Sequence, residues 1–292
     1  MIVSENSTVS DTEQAYAAEG TSLEPSRYFA LKYVIGRTVA AILLVPGLPL
    51  MAVLLLVVRT TSRGPALFRQ TRVGLRGRTF SMLKIRTMIV DAEKKTGPIW
   101  STGVDPRVTP LGRVLRKLHL DELPQLFNVL AGDMALLGPR PERPEIALRL
   151  AESVPGYWRR LAVLPGISGL AQINLPPDTD LESVRRKQVL DLEYIRQASL
   201  MLDIRMFCCS LFRLLGISGD LAMNLLMLKR EPIVPEAWRR VDPAIAASAT
   251  PPTTIEQASA LSRPLHAPPA PEAPKNLDGL STEPWPALRA TP

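Results

Sequence analysis

A run of twenty-one uncharged residues, TVAAILLVPGLPLMAVLLLVV, lies between Arg37 and Arg59 and constrains the fold more than any other feature. Its length is close to the ~20 apolar residues that an α-helix needs to cross the hydrocarbon core of a bilayer. The run is too long and too apolar to suit a buried helix of a soluble domain. The sequence therefore predicts a membrane-associated helix over residues 27–63.

The middle of this run contains Pro46, Gly47 and Pro49. A proline inside a helix removes a backbone donor and clashes with the preceding turn, so two of them around a glycine favour a sharp bend. Basic residues flank the run on both sides, and positive charge near a membrane segment favours the cytoplasmic side. We expect a re-entrant helix-break-helix that enters and leaves on the same face; the alternative is a straight span with a kink.

A strongly basic segment follows the apolar run. Residues 59–117 contain fourteen Lys or Arg and three acidic residues, a net charge of +11, whereas the whole chain carries +7. Such a concentration of positive charge suits a polyanionic partner, which could be anionic lipid head groups, nucleotide phosphates or nucleic acid.

Both ends of the chain are predicted to be disordered. Residues 1–26 are polar and acidic, without the basic start and apolar stretch of a secretory signal. Residues 236–292 are rich in Pro and Ala, with eleven prolines in the last fifty residues. Between the membrane segment and this tail, residues 64–235 are expected to form one folded cytosolic domain.

Local patterns in this domain predict a helix-dominated α+β fold with small β elements. Residues 64–90 alternate short apolar stretches with Gly and Arg, which favours a basic hairpin framed by Gly74 and Gly77. Thr109 is a natural N-cap for a helix with an apolar stripe over 111–118. Similar spacing predicts a second helix from Leu123 to Leu130, and a further helix over 179–197 capped by Thr179 or Asp180.

Two adjacent carboxylates, Asp121 and Glu122, precede the second of these helices. Acidic residues at a helix start commonly cap free N–H groups and interact with the helix dipole, worth about 0.3–1 kcal/mol each. The same geometry suits chemistry. With Arg116 close by, the pKa of Asp121 should be lowered, and an ionised aspartate can act as a nucleophile toward phosphorus. A carboxylate site also suits Mg²⁺, whereas His119 is a poor magnesium ligand.

Downstream motifs add candidates for ligand contact. The stretch LLGPRPERPE places Arg140 and Arg143 in a proline-restricted loop, and guanidinium groups suit phosphate oxygens. Solvated arginines on a turn are the alternative. In LPGISGLAQIN, Gly166 and Gly169 bracket a turn at which backbone could approach a ligand.

Taken together, these motifs resemble the bacterial sugar transferase family, the monotopic polyprenol-phosphate phosphoglycosyl transferases of the small form. The stretches that carry the resemblance lie in the family's order over residues 32 to about 215: GPALFRQTRVG, FSMLKIRTM, LGRVLRKLHLDELPQLFNVLAGDMALLGPRPE, LPGISGLAQIN and LDLEYIRQASLMLDI. The chain departs from the family pattern at Ile35-Gly36-Arg37, where a Phe-Asp pair is usual, and at Leu164, where Arg is common.

The resemblance implies a two-step reaction at the cytoplasmic face of the bacterial inner membrane, which initiates exopolysaccharide or other glycan assembly. Asp121 would attack a UDP-sugar, release UMP and retain a phosphosugar that polyprenyl (undecaprenyl) phosphate then accepts. Glu122 would assist with proton or metal handling, and Mg²⁺ would bridge Asp121 and the phosphates. Phosphate contacts would come from Lys84, Arg86, Arg116, Arg140 and Arg143.

Two other classes of function compete with this hypothesis. A catalytically silent membrane-anchored adaptor would use the basic surface to bind anionic membrane lipid and the Pro-rich tail to bind partners. A nucleic-acid binder is disfavoured because no recognition-helix layout is apparent and the apolar run would have no role. The sequence leaves a homo-oligomer open.

Overall fold

The computed structural model describes residues 5–19, 23–92, 105–178, 180–214 and 216–230. Helices dominate the described chain, and its strands are short, as the sequence predicts. The helices are α1 (Glu5–Glu19), α2 (Tyr28–Thr61), α3 (Pro110–Lys117), α4 (Gln125–Ala131), α5 (Pro144–Ser153), α6 (Leu170–Asn174), α7 (Leu181–Gln197), α8 (Leu200–Leu214) and α9 (Gly219–Leu225). The strands are β1 (Leu67–Val73), β2 (Thr79–Ile85), β3 (Ala135–Leu137) and β4 (Gly166–Ser168).

Helix α2 contains the apolar run. Among the described residues it is the one helix that is long and apolar enough to cross a membrane, by length and composition. Helix α2 continues through Pro46 and Pro49. The structure therefore does not divide α2 into two helices at the prolines. The re-entrant course of α2 stays a prediction.

Both ends of α2 contact the rest of the protein. Near its start, Lys32 Nζ lies 2.5 Å from Asp203 Oδ2 of α8. At its end, Arg86 Nη2 donates to the carbonyl oxygen of Ser62 at 2.9 Å. Between these points Ala40, Leu44, Met51 and Val58 are buried on one helical face, and they belong to a core cluster with residues of β2, α3 and α4.

The predicted basic hairpin is confirmed. Strands β1 and β2 pair antiparallel from Leu67↔Ile85 to Val73↔Thr79. The connection passes through Arg76 and Gly77, whose positive φ angles of 53° and 81° reverse the chain. A second sheet has the short parallel strands β3 and β4.

Two predicted helix starts are also confirmed. The Thr109 hydroxyl accepts a hydrogen bond from the Gly112 amide at 2.9 Å, which caps α3. Asp180 caps α7 in a reciprocal capping box with Ser183. Thr179, the other predicted cap, lies outside the described residues.

The prediction of a disordered tail over residues 1–26 is wrong for Glu5–Glu19, which form α1. This helix docks on the hairpin turn and on the 157–162 segment. Thr12 Oγ1 donates to the Gly77 carbonyl at 2.8 Å, and Glu19 Oε2 accepts from the Trp158 amide at 2.9 Å. The tail predicted over residues 236–292 lies outside the described residues.

Helix α8 packs one face against the core and exposes the other. Leu202, Met206 and Cys209 are buried. The opposite face exposes apolar side chains at the spacing of one helical stripe: Leu200, Ile204, Phe207 and Leu211. An exposed apolar stripe of this kind is typical of a helix at a membrane surface.

Candidate active site

The adjacent carboxylates lie in the connection between α3 and α4. Helix α3 ends at Lys117, and His119 adopts the left-handed conformation with φ of 54°, which turns the chain. Asp121 and Glu122 then lie in a short 3₁₀ turn, Leu120–Glu122, before α4 begins at Gln125. The prediction that both carboxylates lie at the N-terminus of the second helix is confirmed, since they precede its first residue by less than one and a half helical turns.

An asparagine side chain fixes α4 against strand β2. Asn128 Oδ1 accepts from the Leu83 amide at 3.0 Å, and its Nδ2 donates to the Ser81 carbonyl at 2.8 Å. These two bonds hold the strand that carries Lys84 beside the turn that carries the carboxylates.

Glu122 is bound by two cationic side chains. Its Oε1 accepts from Arg140 Nη2 at 2.7 Å and lies 3.4 Å from Lys84 Nζ. Burial opposes ionisation of Glu122, but the positive charges of Arg140 and Lys84 outweigh it and hold the pKa at about 2. Burial also lowers the pKa of Lys84 to about 8, and the neighbouring Arg140 adds to that effect. Glu122 therefore holds two partly buried cations, Lys84 and Arg140, together.

Asp121 is buried, with 7 % of its surface exposed. Within the described parts of the chain, no other side chain donates a hydrogen bond to its carboxylate. Burial raises its pKa, the negative charge of Glu122 raises it further, and Lys84 and Arg116 only partly oppose this. The expectation that positive charge lowers the pKa of Asp121 is therefore wrong in direction, because burial and the adjacent Glu122 outweigh the cations.

The five predicted phosphate contacts divide into two groups. In the first group, Lys84 and Arg140 contact Glu122. The positive charge of Arg116 lowers the pKa of Asp121 and so opposes the effect of burial. Arg116 Nε also donates to Thr87 Oγ1 at 2.8 Å. The structure thus brings three of the five cations together around the carboxylates.

Arg86 and Arg143 lie in other surroundings. Arg86 Nη2 binds the carbonyl and hydroxyl oxygens of Ser62, while its Nε and Nη1 are buried without a hydrogen-bond partner. Arg143 is the N-cap residue of α5 and lies 3.6 Å from Glu145. The hydrogen bonds and ion pairs of Arg86 and Arg143 just given do not involve Asp121 or Glu122, and the role of both arginines as phosphate ligands stays a prediction.

The family model for bacterial sugar transferases matches residues 27–216, nearly two thirds of the chain. The matched range includes α2, both carboxylates and all five cations. The chain belongs to the bacterial sugar transferase family.

Several curated members of this sugar transferase family are similar to the chain. An undecaprenyl-phosphate glucose phosphotransferase of Komagataeibacter xylinus is 41% identical over 181 residues, which cover 60% of this chain and 34% of that protein. A putative undecaprenyl-phosphate N-acetylgalactosaminyl 1-phosphate transferase of Bacillus subtilis is 44% identical over 140 residues, 48% of this chain and 78% of that protein.

A UDP-glucose:undecaprenyl-phosphate glucose-1-phosphate transferase of Xanthomonas campestris pv. campestris is 38% identical over 197 residues, which cover 66% of this chain and 41% of that protein. The chain therefore spans about a third to two fifths of the Komagataeibacter and Xanthomonas members of the family.

The ion pairs behind the candidate site were not predicted from the sequence. Arg160 Nη2 lies 2.6 Å from Asp191 Oδ2 and donates to the Arg140 carbonyl at 2.9 Å. Arg72 Nη1 donates to the Pro141 carbonyl at 3.0 Å and lies 3.5 Å from Glu142. These contacts fix the loop that presents Arg140. The sequence does contain one sign that Asp191 is buried in an ion pair: it lies between apolar residues in the stretch VLDLEYI.

Close backbone packing fixes the other side of this loop. A Cβ on Gly166 would lie 2.1 Å from the Gly138 amide nitrogen, and one on Gly169 would lie 2.3 Å from the Gly138 carbonyl oxygen. Gly166 and Gly169, which were predicted to approach a ligand, instead lie against the backbone of Gly138, between β3 and the Arg140 loop. They let β3 and β4 pair closely.

The donor chemistry of the site bears on magnesium binding. In the described residues no group of three or more His, Cys, Asp or Glu side chains could form a metal cage. Mg²⁺ does not require such a cage, since it usually binds through one or two carboxylates together with substrate phosphates and water. Asp121, whose carboxylate has no cationic hydrogen-bond partner in the described chain, fits that mode of binding, whereas Glu122 is occupied by Arg140 and Lys84.

Proposed function

We propose that the protein transfers a sugar 1-phosphate from a UDP-sugar to a polyprenyl phosphate, undecaprenyl phosphate in bacteria, and releases UMP. The names of its relatives support this substrate class. The observation that carries the proposal is the contrast between two neighbouring carboxylates. Glu122 is neutralised by two cations, and Asp121 next to it is left without a donor from another side chain in the described chain.

The reaction proceeds in two displacements at the same phosphorus atom. An Asp121 carboxylate oxygen attacks the β-phosphorus of the UDP-sugar, and the bond from that phosphorus to the oxygen of the α-phosphate breaks, which releases UMP. The sugar phosphate stays on Asp121 as an acyl phosphate. A phosphate oxygen of the polyprenyl phosphate then attacks the same phosphorus, which frees the carboxylate and yields a polyprenyl diphosphate sugar.

The surrounding charges have separate roles in this mechanism. Lys84, Arg116 and Arg140 supply positive charge where the phosphoryl oxygens gain negative charge. Glu122, with a pKa of about 2, is ionised throughout the neutral range and is poorly suited to proton transfer. We therefore assign Glu122 to holding Lys84 and Arg140 rather than to proton handling. Mg²⁺ bound through Asp121 would neutralise phosphate charge.

The direct test is an assay of purified protein with Mg²⁺, polyprenyl phosphate and a panel of UDP-sugars, in which UMP release is measured. We expect UMP release with at least one UDP-hexose and a lipid-extractable product that carries the sugar. Folded protein that binds anionic vesicles but releases no UMP with any donor would instead support the membrane-anchored adaptor.

We also propose that α2 is re-entrant and that the site lies at the cytoplasmic face of the inner membrane. A straight helix of 34 residues would be about 51 Å long, longer than the ~30 Å hydrocarbon core of a bilayer. Yet Lys32 near its start and Ser62 after its end both contact the same folded domain. Because one cytosolic domain cannot contact a helix at both faces of a bilayer, these contacts support a position of α2 in which both of its ends lie on the same side of the membrane.

Cysteine labelling tests this course of α2. In a background without Cys208 and Cys209, Leu31→Cys and Thr60→Cys should both react with a membrane-impermeant maleimide only after the inner membrane is opened. The control Val45→Cys, in the middle of the helix and 74% exposed to the surroundings, should stay unreactive because it faces lipid. Labelling of one end in intact spheroplasts would establish a spanning helix instead.

A further inference from the structure

A groove away from the carboxylates separates the first turns of α2 from α8 and β3. Its cavity volume is about 180 Å³. The lining is mostly aliphatic and aromatic and includes Val39, Val129, Met134, Leu137, Ile204 and Phe207. Two of these side chains, Ile204 and Phe207, belong to the exposed apolar stripe of α8, so the groove opens onto the surface that would face lipid.

A positive charge without a partner lies at the edge of this groove. Arg37 is exposed, and its guanidinium lies against Gly132, where an added Cβ would be 2.2 Å from Nη2. Lys32, the other cation of the groove, is paired with Asp203 at 2.5 Å. Arg37 has no acidic or hydrogen-bonding partner in the part of the chain that the structure describes. An apolar groove that ends at one unpaired cation is complementary to an amphiphile with an anionic head.

The size of the groove restricts the ligand. Pockets for whole small molecules occupy about 300–1,000 Å³. A cavity of about 180 Å³ suits a segment of hydrocarbon chain and not a nucleotide sugar. The groove is therefore not a second donor site.

The position of Arg37 distinguishes a bulk lipid from the reacting polyprenyl phosphate. The acceptor phosphate must reach Asp121, in the turn before α4, whereas Arg37 lies at Gly132, the residue that ends α4. Seven helical residues, about 10 Å, lie between these positions. A phosphate held by Arg37 is therefore not the phosphate that reacts.

We propose that this groove binds one acyl chain of an anionic phospholipid, with the lipid phosphate on Arg37. The lipid fills the gap between α2 and α8 and completes the contact of the domain with the membrane. The site is separate from the transferase reaction and does not depend on it.

Gly36 provides a sharp test because it lines the groove from α2. A Cβ added there would meet no atom within 4 Å, so a side chain can enter the groove without a clash. Gly36→Phe would occupy the space of the acyl chain. Gly36→Ala raises helix propensity in the same way but leaves most of the volume empty, and it is the matched control.

The experiment counts lipids on the full chain by native mass spectrometry after release from a mild detergent. The probes are phosphatidylglycerol, phosphatidylcholine and polyprenyl phosphate, each added separately and in competition. We expect one tightly retained phosphatidylglycerol, Gly36→Ala to behave like the parent, and Gly36→Phe to weaken retention about tenfold or more because the chain loses its buried apolar contacts. Arg37→Gln should abolish the preference for phosphatidylglycerol over phosphatidylcholine.

Equal retention of phosphatidylglycerol by the parent and Gly36→Phe would overturn the proposal. So would occupation of the groove by polyprenyl phosphate alone, which would assign it to the acceptor. UMP release, measured on the same samples, separates this proposal from the transferase function. A protein that retains the lipid but releases no UMP would contradict the function and support the groove.

Discussion

Asp121→Asn is expected to reduce UMP release by at least about 10³-fold while the protein keeps its fold, because an amide cannot act as the nucleophile toward phosphorus. Asparagine has nearly the same shape and introduces no buried charge. The melting temperature should therefore stay close to that of the parent. The rate of UMP release with saturating UDP-sugar and acceptor is the primary measurement.

A trapping experiment identifies the atom that carries the phosphosugar. Without polyprenyl phosphate, the parent should accumulate sugar label from a UDP-sugar on the peptide that contains position 121. Asp133→Asn changes an acid just beyond the other end of α4, outside the cationic cluster. Asp133 accepts a hydrogen bond from Asn128 at 3.3 Å, and the amide oxygen of an asparagine can accept the same bond, so this variant should retain both label and turnover. If the Asp121→Asn variant still turned over, or if label appeared elsewhere, Asp121 would be excluded as the nucleophile.

Asp191→Asn is expected to have the largest effect on stability. Asp191 and Arg160 have side chains that are 2% and 3% exposed, and removing one partner of a buried ion pair typically costs about 3–5 kcal/mol. For a domain of this size such a loss corresponds to a fall in Tm of about 6–20 °C. Thermal unfolding in detergent, followed by circular dichroism, measures it.

Two further variants separate the stability effect from the position of Arg140. Glu182→Gln removes an exposed ion pair with Arg186 on the same helix α7, and its effect should stay within about 0.5 kcal/mol. Replacing both partners, Asp191→Leu with Arg160→Met, should recover most of the lost stability, since no buried charge remains unpaired. This double variant should nevertheless release UMP more slowly than the parent, because the hydrogen bond from Arg160 to the Arg140 carbonyl is lost. Full activity would show that the pair does not position Arg140.

Sequence alone predicted the elements whose signals are local. Thr109 at an N-cap, the apolar stripe that follows it and the glycines of the β1–β2 turn lie within a few residues of the structure that they specify. The two site carboxylates could also be located, because their place before Pro124 fixes them near a helix start.

Features that depend on distant contacts could not be predicted in this way. Helix α1 has few apolar residues, and Thr12 of α1 is fixed by Gly77, sixty-five positions away. The pKa of Asp121 rises rather than falls because tertiary packing buries it. The sequence shows which charges are near along the chain, but the electrostatic balance at the site depends on which of them become buried together.

The contacts of α2 also limit the order in which parts of the protein can fold during synthesis. The ribosome makes this helix early, but its partner Asp203 emerges 171 residues after Lys32. The rest of the domain must therefore pack against a helix that the ribosome completed much earlier. A shortened protein without α2 would expose Met82, Ile85, Leu126 and Val129 to water, and it would aggregate rather than yield a freely soluble enzyme.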